Sequence, residues 1–233
     1  MSAKFPRILH LPWSPGGTND DKRLKHIHGF LGDRIIITEK LDGSNLCLTR
    51  DAVFARSHSS LPIHPSFDMA KKLHGEIKHL IPENISIFGE WMYAVHSIRY
   101  SRLPGPYPFF GFGFRMEESG WWSTWEELEE LMRRLKLNTV PVLFNGIVED
   151  NFYELMEALC HGKSVYGEEE KEGIVIWPFS GMGDDSDFSQ DTAKWVRADH
   201  PENPDEHWMY KPVERQGVIN VGKSIKRRSS QKA

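Results

Sequence analysis

The chain has 233 residues, 39% of them hydrophobic, with 8 Trp, 13 Phe and 6 Tyr, enough for a packed core in one large domain or two small ones. A formal net charge of only −4 excludes attraction of nucleic acid by a strong whole-molecule field, so any such contact must come from local basic patches. No run approaches a membrane span, residues 1–25 lack the apolar core of a signal peptide, and Cys47 and Cys160 have no metal or redox spacing. A cytoplasmic protein without a membrane partner is expected.

Residues 1–25 carry Pro6, Pro12, Pro15, Gly16-Gly17 and a charged run at 20–23, which predicts a loop followed by at most a short helix. Arg34–Thr38 is β-branched and predicts a strand, ending at the turn residues Asp42-Gly43-Ser44. Lys40 therefore stands where a buried strand gives way to a small-residue turn. A lysine there either reaches solvent, pairs with an anion, or works as a nucleophile whose amine is freed by desolvation or a nearby cation. Residues 45–49 and 53–57, joined by a turn at 50–52, complete an expected β-meander.

Ser66 is placed to cap a helix with Phe67, Ala70, Leu73, Ile77 and Leu80 on one face, stopped by Pro82. Ile85–Trp91 predicts the next strand and holds Glu90 near its end. Residues 94–108 contain three prolines and read as a long loop, and Phe109–Phe114 as an aromatic strand interrupted by Gly111 and Gly113. Ser123-x-x-Glu126 reads as a capping box opening a helix with Leu128, Leu131, Met132 and Leu135 on its stripe. Val140–Phe144 is expected as a short buried strand, and Asn151 as the start of a helix through Leu155, Met156 and Leu159, closed by Gly162. Glu172 leads an apolar strand to Trp177, a Gly/Asp/Ser loop follows at 180–191, and Ala193–Arg197 is the last clear strand. The basic, polar residues 223–233 are expected to form a disordered tail.

Five strands or strand ends thus each carry one polar group: Lys40, Arg56, Glu90, Glu172 and Lys194. Phe112 adds an aromatic face. A charge on a strand usually marks the solvent side of the pleat. Glu90 and Glu172 instead adjoin a glycine within apolar strands and need a partner. Together the set offers a lysine nucleophile, two cations for phosphates, two acids for ribose hydroxyls or a metal, and a ring to stack a base. Those are the parts needed to attack the α-phosphate of a nucleoside triphosphate.

The order and spacing of these segments resemble the covalent nucleotidyltransferase superfamily, and within it most closely the ATP-dependent RNA ligases. Glu39-Lys40-Leu41-Asp42-Gly43-Ser44-Asn45 resembles the nucleophile motif, which implies Lys40 as the catalytic residue with Glu39 and Asn45 beside the nucleotide. Phe54-Ala55-Arg56-Ser57 resembles the strand whose arginine contacts the nucleotide, and Phe88-Gly89-Glu90-Trp91 the motif whose glutamate holds the ribose. Phe109-Phe110-Gly111-Phe112 resembles the strand whose final phenylalanine, here Phe112, stacks on adenine. Glu172-Gly173-Ile174-Val175-Ile176 is similar to the fourth motif, with Glu172 the candidate metal contact. Lys194-Trp195-Val196-Arg197 is a looser match to the fifth, which implies Lys194 and Arg197 as nucleotide contacts.

Three departures stand out. Gly113 occupies a position where the family usually has aspartate. The Lys-x-x-Arg spacing would put Lys194 and Arg197 on opposite faces of a strand. Too few residues follow Arg197 for the OB domain of DNA ligases and capping enzymes.

The resemblance covers roughly residues 35–200 and implies an α+β nucleotidyltransferase fold: antiparallel sheets with flanking helices and the nucleotide in the groove between them. It implies one domain over residues 1–222 with no OB domain, followed by the tail at 223–233. The implied activity is sealing of RNA (or DNA) 5′-phosphate and 3′-hydroxyl ends through a lysyl-AMP intermediate, as in RNA repair, with ATP and Mg2+ or Mn2+. A partner protein could replace the missing C-terminal domain. A GTP-using capping-type transferase and a non-catalytic nucleotide- or RNA-end-binding module are the alternatives.

Overall fold

The computed structural model describes residues 4–17, 21–56, 62–198 and 212–219; the basic tail and Ser57 lie outside them. Strands and helices are numbered in chain order. One five-stranded sheet has the order β1 (Leu9–His10), β11 (Ala193–Val196), β10 (Gly173–Pro178), β2 (Arg34–Lys40), β9 (Val142–Ile147). The other has the order β4 (Val53–Ala55), β3 (Ser44–Leu48), β5 (Ile85–Trp91), β7 (Phe109–Met116), β8 (Asn138–Thr139). Pairing is antiparallel as expected except at two edges, where β1–β11 and β7–β8 run parallel.

The isoleucine run of β2 is continuous because both of its faces are covered. Ile35 and Ile37 pack with Ile174, Ile176 and Trp195 beneath α3 (Phe152–Cys160), which contributes Phe152, Met156 and Cys160. Ile36, with Val175 and Trp177, faces the second sheet across the main core. Hence β2 does not continue into a meander. It pairs with β9 and β10, while β3 pairs with β4 and β5, and Leu41–Gly43 carry the chain from one sheet to the other. Only the β3–β4 hairpin of the expected meander forms.

Other elements depart from expectation for identifiable reasons. Ser66 sits in a 3-10 turn at Pro65–Phe67, where its carbonyl accepts from Trp91 Nε1 at 2.8 Å; α1 begins afterwards, at Asp68–Ile77, and Leu80 is exposed. The capping box of α2 (Trp125–Leu135) is Thr124–Glu127, one residue later than expected, because the Ser123 hydroxyl accepts the Phe114 amide. The strand at 142–147 lies at a sheet edge and is half-exposed. On α3 only Met156 of the three expected apolar residues is fully buried. Within the expected loop at 180–191 lies α4 (Asp185–Asp191), capped by Asp184, which accepts from Ser186 N at 2.7 Å, and anchored by buried Phe188.

The N-terminal segment is not a plain loop. Leu9–His10 pair with β11, and Phe5 wedges among Phe88, Phe112, Trp122 and Phe188. At the other end β12 (Val218–Ile219) pairs with β6 (Leu103–Pro104). Among the described residues no helix is long and apolar enough to cross a membrane, and both cysteines are buried and free.

Candidate active site

Lys40 is the last residue of β2, at the point where the chain leaves one sheet for the other. Its Nζ lies 2.6 Å from Glu172 Oε1. The next strand begins directly after Glu172, and Gly173 is in register with Lys40. A Cβ at Gly173 would lie 1.9 Å from the Trp195 carbonyl oxygen, so only glycine lets β11 pass this close and bring Lys194 into the same groove. Lys194 is in register with Val175, which is in register with Thr38. From the second sheet, Glu90 on β5 faces Asn45 on β3 in register, and Gly43 passes so close that a Cβ would meet the Trp91 carbonyl at 2.8 Å. Two sheets therefore deliver Lys40, Glu172 and Lys194 from one side and Glu90 and Asn45 from the other.

This span is also where sequence comparison places the chain. The RNA ligase family model matches residues 33–196. The chain belongs to the RNA ligase family. The RNA ligase of Naegleria gruberi, solved as a point mutant with ATP and Mn, has a TM-score of 0.55 and 20% identity, covering 72% of this chain and 51% of that one. The same enzyme solved with pyrophosphate gives a TM-score of 0.55 and 21% identity, covering 76% and 53%. At such identity the likeness establishes a shared fold. This chain spans about half the length of that RNA ligase. Among curated proteins none matches.

In this RNA ligase family chain the electrostatics of the groove reverse one expectation. Burial works against the charge of Lys40, but Glu172, Glu90 and Asp42 outweigh it and hold the lysine above its ordinary value. The protein's own groups thus keep the amine protonated; they do not free it. Burial likewise pushes Glu90 up to about 8, against the pull of Lys40 and with Glu172 and Asp42 adding to the rise. Lys194 is lowered by burial and by the Lys40 charge. Among the described residues no three His, Cys, Asp or Glu side chains form a metal cluster.

The remaining sequence-derived residues divide. Arg56 is exposed at the end of β4, and its charge reaches Lys194. Arg197 follows β11; its amide bonds the Glu172 carbonyl at 3.1 Å, and its guanidinium turns to Glu170 at 3.8 Å. Glu39 lies on the face of β2 opposite Lys40, buried, accepting the Val165 amide at 2.8 Å. Burial raises its pKa, and a bond from Ser164 opposes the rise. Glu39 thus fastens the 164–166 segment and stands apart from the groups around Lys40.

Phe112 is buried in the core between the sheets, stacked on Trp177 at 5.5 Å and met edge-on by Phe5 at 5.1 Å. Phe110, two residues earlier, is the ring in register with Glu90. Phe112→Ala is expected to cost about 3–5 kcal/mol of stability through lost packing. A base-stacking role adds a loss in nucleotide use of about 1–3 kcal/mol per folded molecule, which Phe112→Tyr should spare. Nucleotide titrations of both variants at a temperature where they are folded separate the two; unchanged affinity in Phe112→Ala would make the ring a core residue only.

Sequence reasoning missed His10, which β1 places in register with Lys194. Ser14 Oγ contacts the Val196 carbonyl at 3.4 Å, accepts the Val196 amide at 3.0 Å, and lies 2.9 Å from His10 Nδ1. On the other side of the ring, Nε2 lies 3.8 Å from Asp21. Burial, with the Lys194 charge next, lowers the His10 pKa to about 4 and keeps the ring neutral. Only the tertiary pairing of residues 9–10 with 193–194 reveals this neighbour; no local motif marks it.

Proposed function

We propose that this chain is the nucleotidyltransferase domain of an ATP-dependent RNA ligase, acting through a lysyl-AMP intermediate on Lys40, with residues 1–222 as one domain. The reading rests on the convergence of Lys40, Glu172, Glu90 and Lys194 in one groove within the span matched to the family.

The residues present fit a nucleoside triphosphate. Asn45 Oδ1 is buried without a hydrogen-bond partner beside Glu90, and both suit the hydroxyls of a ribose. Lys194, with Arg56 at the rim, suits the phosphates. The carboxylates also fit a divalent cation, Mg2+ or Mn2+: burial, with Glu172 and Asp42 adding to it, already pushes Glu90 up to about 8. Glu172 and Glu90 would hold such an ion, directly or through water, and its chemistry there is to neutralise charge on the phosphates.

In the proposed reaction the Lys40 ammonium must give up a proton, for which Glu172 Oε1 at 2.6 Å is the adjacent acceptor once bound nucleotide offsets the acids that hold it, and the amine attacks the α-phosphorus of ATP. The Nζ–P bond forms as the bond to pyrophosphate breaks, and Lys194 and Arg56 meet the charge that develops on the leaving group. AMP then passes to a 5′-phosphate end of RNA, and a 3′-hydroxyl displaces AMP to seal the strand. The two buried free cysteines fit a reducing compartment such as the cytoplasm.

Incubation with α-labelled ATP or GTP and magnesium tests the reading. Label from ATP should stay on the denatured protein. Label from GTP alone would favour a capping-type transferase, and none from either would leave a nucleotide- or RNA-end-binding module.

A further inference from the structure

The Lys40 turn is held from outside the groove by residues 97–100 and, behind them, by residues 214–217, which lie beyond the span matched to the family. Asp42, two residues after Lys40, accepts the amides of Ser97 and Ile98 through Oδ2 at 2.8 and 2.9 Å. Its own amide donates to the Tyr100 hydroxyl at 2.9 Å. Tyr100 is fully buried, and its backbone is clamped on both sides by residues 216–217. The Gln216 side-chain carbonyl accepts the Tyr100 amide at 2.8 Å, and the Gly217 amide donates to the Tyr100 carbonyl at 2.8 Å. Gln216 is itself buried and bonds the Ile98 carbonyl at 2.9 Å, while the Val95 amide donates to the Glu214 carbonyl at 2.8 Å. A continuous set of bonds therefore runs from residues 214–217, through the backbone of Tyr100, through its hydroxyl, to the peptide next but one to Lys40.

We propose that Tyr100 is a positioning residue for Lys40, and that the strap formed by residues 214–217 keeps its hydroxyl on the Asp42 amide. The proposal rests on Lys40 being the nucleophile. Its physical basis is that the Asp42 amide is a buried donor. Without the hydroxyl that amide is left unpaired and the turn must shift to satisfy it. The Lys40 amine is carried with the turn, and in-line attack tolerates displacements well under an ångström poorly. Tyr100→Phe removes one oxygen from a buried ring and keeps the packing.

The test compares wild type, Tyr100→Phe and Gln216→Leu for the rate of label transfer from α-labelled ATP with magnesium. It is run at a temperature where circular dichroism shows each protein folded. Tyr100→Phe should lower the rate at saturating ATP about tenfold and leave the half-saturating ATP concentration unchanged, with Gln216→Leu falling in the same direction. Amide hydrogen exchange of the peptide spanning 40–44 should quicken in Tyr100→Phe. A stability loss alone would leave the rate per folded molecule as it was. An unchanged rate and unchanged exchange in Tyr100→Phe overturn the proposal and leave the nucleophile assignment standing. Absence of label on wild type overturns that assignment and, with it, the positioning role.

Discussion

Lys40→Arg is expected to abolish formation of the labelled protein. Arginine keeps the positive charge that pairs with Glu172, but its guanidinium stays protonated at any working pH and offers no lone pair. Lys40→Met should be equally inactive and also less stable, by about 1–3 kcal/mol at pH 8, because it leaves three acids without their cation; solvent access to the pair keeps the figure below that of a fully buried one. Retention of label on denatured Lys40→Arg, measured with α-labelled ATP, would mean that another residue is the nucleophile.

Glu90→Gln should lower nucleotide use and at the same time stabilise the fold at neutral and alkaline pH. The Glu90 carboxyl is raised to about 8 in the folded chain, against an ordinary value of 4.5, so the folded state holds a proton that the unfolded chain releases. The resulting cost of folding is absent below pH 4.5, grows as the pH rises, and levels off above about 8. With the discount for a partly exposed group coupled to Lys40, the gain in Glu90→Gln is about 1–3 kcal/mol at pH 8 and near zero at pH 4.5. Urea denaturation of both proteins at pH 4.5, 6 and 8 gives the answer. Parallel stability curves would show that the carboxyl is not strained by its neighbours. A stabilising substitution that removes function is the pattern expected where acids are packed together for chemistry.

Much of the site was legible because it depends on local residue type. A β-branched run ending in Lys-x-Asp-Gly, an acid beside glycine in an apolar strand, and a lysine at the start of another strand each mark a position without reference to the rest of the chain. Their order did the rest. The choice of capping box was not legible in the same way. Ser123 and Thr124 both precede a glutamate by three residues, and only the bond between the Ser123 hydroxyl and the distant Phe114 amide decides between them. The helix at 185–191 was hidden because its polar sequence has one apolar anchor, Phe188, whose burial depends on Phe5 and Trp122.

The sequence by itself determined which side chains are candidates for the chemistry, since lysine, acid and arginine are properties of residue type, and it determined most of the strands that hold them, since these follow from periodicity. Only the tertiary structure decided the charge state of the site. Lys40 is held protonated because Glu172 and Glu90, separated by more than eighty positions and borne on different sheets, meet at one ammonium group. The same convergence decided that Glu39 faces away from Lys40, that Phe112 stacks on Trp177, and that His10 and Tyr100 adjoin the site. Each depends on which strand lies next to which, and strand partners are chosen by the fit of both faces across the whole core, a property that no single segment contains.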